Sequence, residues 1–377
     1  MSETTLTPAA RPRFPLTAKV CYLDTAAEGL PPVESATAME EYLRLKGTGS
    51  AGRPSLYERH RETECAAAKL LGTAPANVTL LGSASEGLNL LANSLDWREG
   101  DEVVLSDLEF PSNVVAWLRL RRVGVKVRLV PTRNGEVHLS DFTDQMSART
   151  RLVSVSAVSY KTGTRIPFLP ELAGASHRLG ALFCVDATQA LGRVPVPLEG
   201  VDFLVSSSYK WLLGTHGLGL TYIAPALRER LEPGAAGWYS LDSIFHEDRF
   251  ERFNWKAGAA ALQPGMPNFP AIFALKAGID CLLETGVERI HANLSPVIAD
   301  LRAGLEALGL RLLTPAGPEF SSGIVSFAHD LPEELGEALR QRGVFVWAGD
   351  GRVRTSIHLY NGERDIARIL DSLRPLL

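Results

Sequence analysis

Between about residue 78 and residue 225, short apolar runs alternate with amphipathic stretches, and no other feature constrains the fold as strongly. The runs at 78–81, 102–106, 126–131, 152–158, 181–187, 203–207 and 218–224 read as strands. The stretches 86–93, 113–121, 140–147 and 171–179 read as helices. Strands separated by helices need crossover connections, which is how parallel strands are joined. The 152–158 run is almost unbroken in apolar and small residues, as a strand covered on both faces is. The expected fold class is α/β, with a mainly parallel doubly wound sheet in a large domain.

The last third of the chain changes character. Two long helices are expected at 271–285 and 290–308, then strands at 312–314 and 323–327 and a helix at 332–342. Strands at 344–347 and 353–359 follow, and a final helix capped by Asn361. Helices flanking a small sheet suggest a separate α+β domain, with the Gly/Pro-rich stretch 238–270 as the junction. The expected division is an N-terminal segment (1–45) packing with the small domain, a large domain (46–265) and a small C-terminal domain (266–377).

A chain of 377 residues suits such a division. Its net charge of −4 does not suggest a nucleic-acid surface. No apolar run approaches the roughly 20 residues of a membrane span. Residues 1–7 carry no basic and apolar export pattern. The four cysteines, Cys21, Cys65, Cys184 and Cys281, form no metal-type pair. They read as reduced thiols of a cytoplasmic protein without a metal site.

Four segments carry chemistry. In Val185-Asp186-Ala187-Thr188-Gln189 an apolar strand delivers a carboxylate at its C-terminal end, where open α/β sheets bind ligands; taken alone, Asp186 reads as a cap on the next helix. In Ser206-Ser207-Ser208-Tyr209-Lys210 another strand ends in hydroxyls and a lysine, ahead of a glycine-rich loop. A lysine there could be merely solvated, and Lys161, also after a strand, competes with it. Together, a buried carboxylate and an amine are what pyridoxal phosphate requires. Gly82-Ser83-Ala84-Ser85-Glu86 runs into a helix start, which is either an anion site or an ordinary serine cap. In Glu109-Phe110-Pro111-Ser112-Asn113 the aromatic ring could stack on a heterocycle or sit in the core.

The order of these segments resembles the class V aminotransferase group of fold-type I pyridoxal-phosphate enzymes, which includes cysteine desulfurases, kynureninases and isopenicillin N epimerase-like proteins. The resemblance runs from Tyr22-Leu23-Asp24-Thr25-Ala26-Ala27 to Val353-Arg354-Thr355-Ser356 and on to Tyr360-Asn361. It implies that Lys210 forms a Schiff base with the cofactor. It implies that Asp186 partners the pyridine nitrogen and Gln189 the ring hydroxyl. Phe110 falls at the stacking position, and Ala84, Ser85 and Ser207 fall at phosphate ligands. Tyr160 and Tyr209 complete the cofactor set, and Arg354 falls where the substrate α-carboxylate binds. Trp238 and Asn268 lie in loops that in the family reach the neighbouring subunit, so the resemblance implies a homodimer with active sites at the interface. The alternative for Trp238 is an interface or core aromatic.

Several positions depart from desulfurases. Phe110 and Tyr209 stand where those enzymes have histidines, Tyr160 where they have asparagine, and Met266 where they have a phosphate-binding threonine. Phe110, Tyr160 and Tyr209 are similar to kynureninase instead. No cysteine follows Cys281, so the loop before Arg354 lacks a thiol nucleophile. The expectation is therefore a pyridoxal-phosphate enzyme acting on a small amino acid by lyase, epimerase or aminotransferase chemistry, and not a cysteine-dependent desulfurase. The alternative is a catalytically idle, cofactor-binding or regulatory protein on the same fold.

Overall fold

The computed structural model describes residues 9–377. The 1–7 stretch examined for an export signal lies outside the described residues. In chain order the elements that position the site are β1 (Cys21–Tyr22), α1 (Glu34–Gly47), α2 (Arg53–Leu71), β2 (Val78–Leu81) and α3 (Ala84–Asn93). Next come β3 (Glu102–Ser106), α4 (Ser112–Leu118), β4 (Lys126–Val130), α5 (Leu139–Thr143), β5 (Thr150–Ser156), α6 (Leu169–Arg178) and β6 (Leu182–Asp186). Then follow β7 (Phe203–Ser207), β8 (Gly219–Ile223), α7 (Pro225–Arg228), α8 (Phe269–Thr285) and α9 (Val287–Ala307). The chain closes with β9 (Ile324–Ala328), α10 (Pro332–Gln341), β10 (Val344–Phe345), β11 (Trp347–Gly349), β12 (Arg352–Ser356) and α11 (Glu363–Leu373).

The central sheet has seven strands in the order β2-β8-β7-β6-β5-β3-β4. β4, β3, β5, β6 and β7 pair in parallel, whereas β8 runs antiparallel to both β7 and β2. The α/β, mostly parallel architecture expected from the alternation is present. Both faces are covered. Val104, Val153, Phe183, Val185 and Leu204 belong to one apolar cluster. Val103, Leu105, Leu152, Cys184, Phe203 and Val205 belong to the other, so neighbouring residues of one strand feed opposite faces. A second, antiparallel sheet has the order β11-β12-β9.

Four expectations need correction. Residues 312–314 form no strand; Leu312 makes one isolated bridge to Phe327. The expected 344–347 strand is two. Val344 and Phe345 pair in parallel with Cys21 and Tyr22, while Trp347 starts a strand paired with β12. Apolar pattern cannot show that the chain changes sheets at Val346, because the partner is over 300 residues away in sequence. The last helix is capped at Gly362, not Asn361. Asn361 instead accepts from the His358 N–H at 2.9 Å and donates to the Tyr22 carbonyl at 2.8 Å, tying the C-terminal turn to the N-terminal segment. Finally, the 353–359 strand ends at Ser356, where its residues turn to bond Leu23 and Gly323. Among the described residues, no helix is long and apolar enough to cross a membrane.

Candidate active site

The parallel strands place their carboxyl ends at one edge of the sheet, where loops can gather functional groups. Asp186 is the last residue of β6, and its Oδ1 accepts from the Thr188 N–H at 2.9 Å. Burial raises its pKa; the Thr188 hydrogen bonds and the Lys210 charge oppose the rise. Lys210 lies three residues beyond β7 and is 7% exposed. Burial lowers its pKa to about 8 and the Arg354 charge adds to this, against the pull of Asp186, Glu28 and Asp24. A Cβ on Gly29 would stand 1.8 Å from the Lys210 carbonyl oxygen, so only glycine allows this close approach. The Gly29 N–H donates to the Tyr209 carbonyl at 2.8 Å and holds the lysine loop from the N-terminal side.

Gln189 is anchored at both ends of its amide. Its Nε2 donates to the Ala26 carbonyl at 3.0 Å, and its Oε1 accepts from the Trp211 indole N–H at 2.7 Å. Ser83 caps α3 by accepting from the Glu86 N–H. A Cβ on Gly219 would lie 2.5 Å from the Ser83 carbonyl carbon, so this glycine lets the helix start sit against β8. The hydroxyls of Ser85 and Ser112 are 2.8 Å apart. The Phe110 ring meets Tyr160 edge-on at 5.1 Å, and Lys210 Nζ lies 5.4 Å from its centroid. Under this turn the buried Glu109 accepts from Ser106, Asn113 and both donors of Ser156 at 2.6–3.0 Å. Burial pushes its pKa up to about 7 in spite of those bonds.

These groups enclose a cavity of about 570 Å³, partly open to solvent. It is lined by Ala84, Ser85, Phe110, Tyr160, Asp186, Gln189, Ser207, Tyr209 and Lys210, all singled out from the sequence. Ser83, Ser112, Ser156, Val158 and Thr188 also line it and were not. Ser83, Ser112 and Thr188 sit inside the quoted motifs, so a hydroxyl beside each motif's key residue was the available signal. Lys161, the competing lysine, lines a different cavity with Asp107 and Thr132.

Three expected residues stand outside this lining. The Trp238 ring contacts Tyr239 and Phe245. Asn268 caps α8 and donates to the Gly217 carbonyl at 2.9 Å. Arg354, on β12, donates from Nη1 to the carbonyl of the cavity residue Tyr160 at 2.9 Å. Its Nη2 lies 3.8 Å from Asp24 Oδ1, and its buried Nε has no partner among the described residues. Burial lowers the Arg354 pKa to about 10. Burial raises that of Asp24 to about 6, opposed by Arg354.

The model of the family described as aminotransferase class-V matches residues 21–369. The chain belongs to the class V aminotransferase family. A probable cysteine desulfurase of Methanothermobacter thermautotrophicus is 29% identical over 96% of this chain and 96% of its own length. The apo structure of a cysteine desulfurase from Thermococcus onnurineus NA1 superposes with a TM-score of 0.90 at 25% identity, covering 100% of this chain and 98% of that one. A C-DES mutant with glycine covalently linked to its pyridoxal-phosphate cofactor shares the fold, with a TM-score of 0.89 at 22% identity over 97% of this chain and 98% of that one. This member of the class V aminotransferase family is an enzyme, and its cofactor is the family's, pyridoxal phosphate.

The comparisons overturn the expectation that the chain is not a cysteine-dependent desulfurase, because relatives matching nearly its whole length carry that name. The expectation rested on single positions, Phe110, Tyr160, Tyr209 and Met266, and on the thiol-free loop before Arg354.

Proposed function

We propose that this class V enzyme removes sulfur from cysteine, passing it to a thiol acceptor so that cysteine and a thiol yield alanine and a persulfide. The observation that carries the reading is Lys210, a buried amine of depressed pKa sharing one cavity with the buried carboxylate Asp186. Its likeness to a probable cysteine desulfurase supports the reaction class.

The residues present suit pyridoxal phosphate. Lys210 supplies an amine for its aldehyde, Asp186 a carboxylate for its ring nitrogen and Gln189 an amide for its ring hydroxyl. Phe110 and Tyr209 supply aromatic faces. Ser83, Ala84 and Ser85 at the start of α3, with Ser112 and Ser207, offer N–H and hydroxyl donors for its phosphate. When bound, the cofactor provides an electron sink for bonds at the α-carbon of an amino acid. Lys210 then takes and returns protons, which its lowered pKa permits near neutral pH. Arg354 holds the α-carboxylate with its planar fork. The kynureninase-like side chains Phe110, Tyr160 and Tyr209 give the cavity an aromatic wall.

The test is product analysis. The cofactor-loaded enzyme, given cysteine and dithiothreitol, should yield alanine and sulfide in equal amounts. Pyruvate and ammonia in place of alanine, or no turnover, would overturn the proposal.

The same reading includes a homodimer with its sites at the interface. Phe245 is 82% exposed, Phe250 87% and Phe253 54%, close in sequence to the exposed Trp238 and Met266. Apolar surface of this kind favours a protein partner. A monomer by light scattering that kept full cofactor affinity would count against it. The reading also places the enzyme in the cytoplasm, supported by four unpaired cysteines, and cell fractionation is the check.

A further inference from the structure

Phe110 lines the active-site cavity yet is 40% exposed, with the edge of Tyr160 on one side of it and the Lys210 amine 5.4 Å from its centroid. A ring so open is not fixed by its own packing, so the backbone that carries it must set its place. That backbone hangs on the residue before it. Glu109 is 6% exposed, and its carboxylate ties three elements together. Oε1 accepts from Ser106 Oγ, at the end of β3, at 2.8 Å and from the Ser156 N–H, at the end of β5, at 3.0 Å. Oε2 accepts from Asn113 Nδ2, on α4, at 2.7 Å and from Ser156 Oγ at 2.6 Å. The Phe110 carbonyl accepts from the Asn113 N–H at 2.8 Å, which closes the turn into α4.

The seat accepts nothing but a carboxylate. The Ser156 N–H is backbone and cannot reverse. Asn113 cannot turn its amide over, because its Oδ1 accepts from Trp117 Nε1 at 3.0 Å and from Ser154 Oγ at 2.6 Å. An amide in place of the carboxylate would set its own N–H against the Ser156 N–H or against the Asn113 amide. β5 is held in the sheet between β3 and β6, so the turn that carries Phe110 is the part free to shift. We propose that Glu109 is a positioning residue, whose carboxylate fixes the Phe110 ring against the cofactor. This rests on the reading that Phe110 faces the cofactor ring. Glu109 itself does not line the cavity; it acts through Phe110.

The experiment compares the parent holoenzyme with Glu109→Gln, Phe110→Leu and the double variant. Two properties are read: cofactor affinity, from release of pyridoxal phosphate on dilution, and the visible circular dichroism of the bound cofactor. Melting temperatures report on folding. Glu109→Gln should bind the cofactor about tenfold more weakly and lose part of the visible dichroism, the scale of a buried donor left without its acceptor. Phe110→Leu should change both properties in the same direction. In the Phe110→Leu background, Glu109→Gln should cost about twofold or less, since the group it acts through is gone. If Glu109→Gln does not fold, Ser106→Ala takes its place in the same cycle. It removes one of the four donors, and its loss of about threefold should vanish in the Phe110→Leu background. Folded variants that keep the parent's affinity and dichroism overturn the proposal. Equal losses in the parent and Phe110→Leu backgrounds, the mark of a purely structural role, overturn it too. If Phe110→Leu alone changes neither property, the reading of Phe110 fails and this proposal with it.

Discussion

The two walls of the active site differ in how far the protein satisfies its own polar groups. Around Asp186 nearly every group has a protein partner: Asp186 bonds Thr188, Gln189 is held by Ala26 and Trp211, and Glu109 accepts four donors. On β12 the arginines keep nitrogens without a partner among the described residues, Nε of Arg354 and both Nε and Nη2 of Arg352. The first wall has its hydrogen bonds made before anything binds, as suits a resident cofactor that must be aligned. The second leaves polar atoms open, which fits the proposal that Arg354 receives a substrate carboxylate. Lys210 lies between them, its charge disfavoured by burial and Arg354 and favoured by Asp186.

The largest expected effect lies at that junction. Lys210→Ala should lower alanine formation from cysteine by about a thousandfold or more, since both the amine and the proton carrier are lost. Circular dichroism should show an intact fold. Turnover within about tenfold of the parent would mean that another base serves the site. Next comes the open wall. Arg354→Lys should raise KM for cysteine by about ten- to a hundredfold, with kcat changed less, because an ammonium cannot reproduce the fork. An unchanged KM would place the α-carboxylate elsewhere and dissolve the contrast between the walls.

The smallest effect concerns His358, which joins the walls by hydrogen bonding the Trp211 carbonyl from Nε2 at 3.1 Å. Burial, aided by the nearby Arg193 charge, lowers its pKa to about 3 from an ordinary 6.5. A pKa lowered by folding means stability that is full above about 6.5 and lost as pH falls towards the folded value. The melting temperature should therefore fall on acidification below pH 6.5, and fall less steeply in His358→Gln. Parallel pH profiles for parent and variant would remove His358 from the account.

Much of the sheet was legible because each strand carries its own signal. Val78–Leu81, Glu102–Ser106 and Phe203–Ser207 have the expected bounds, and other strands of this sheet differ by one or two residues at their ends. α1 and α2 carried no comparable signal. Most of α1 is exposed, and its only buried residue is Ser35. The cavity residues were legible for a related reason: each follows a recognisable strand end, and a parallel sheet brings those ends together. The burial of Arg352 was not, because a strand arginine has the same pattern in water as it does buried beneath Trp347.

By itself the sequence determined a parallel sheet and the arrival of Asp186 and Lys210 at one edge of it, because hydrophobic alternation and strand-end chemistry are local properties. It determined the cofactor through the order of motifs along the chain. Only the tertiary structure decided that Gly29 would press on the Lys210 carbonyl, that Ala26 and Trp211 would clamp Gln189, and that Arg354 would reach the carbonyl of Tyr160. Those contacts join segments remote in sequence, where no periodicity links the partners. The unpaired nitrogens of Arg352 belong to the same class, since a missing partner exists only once every neighbour is in place.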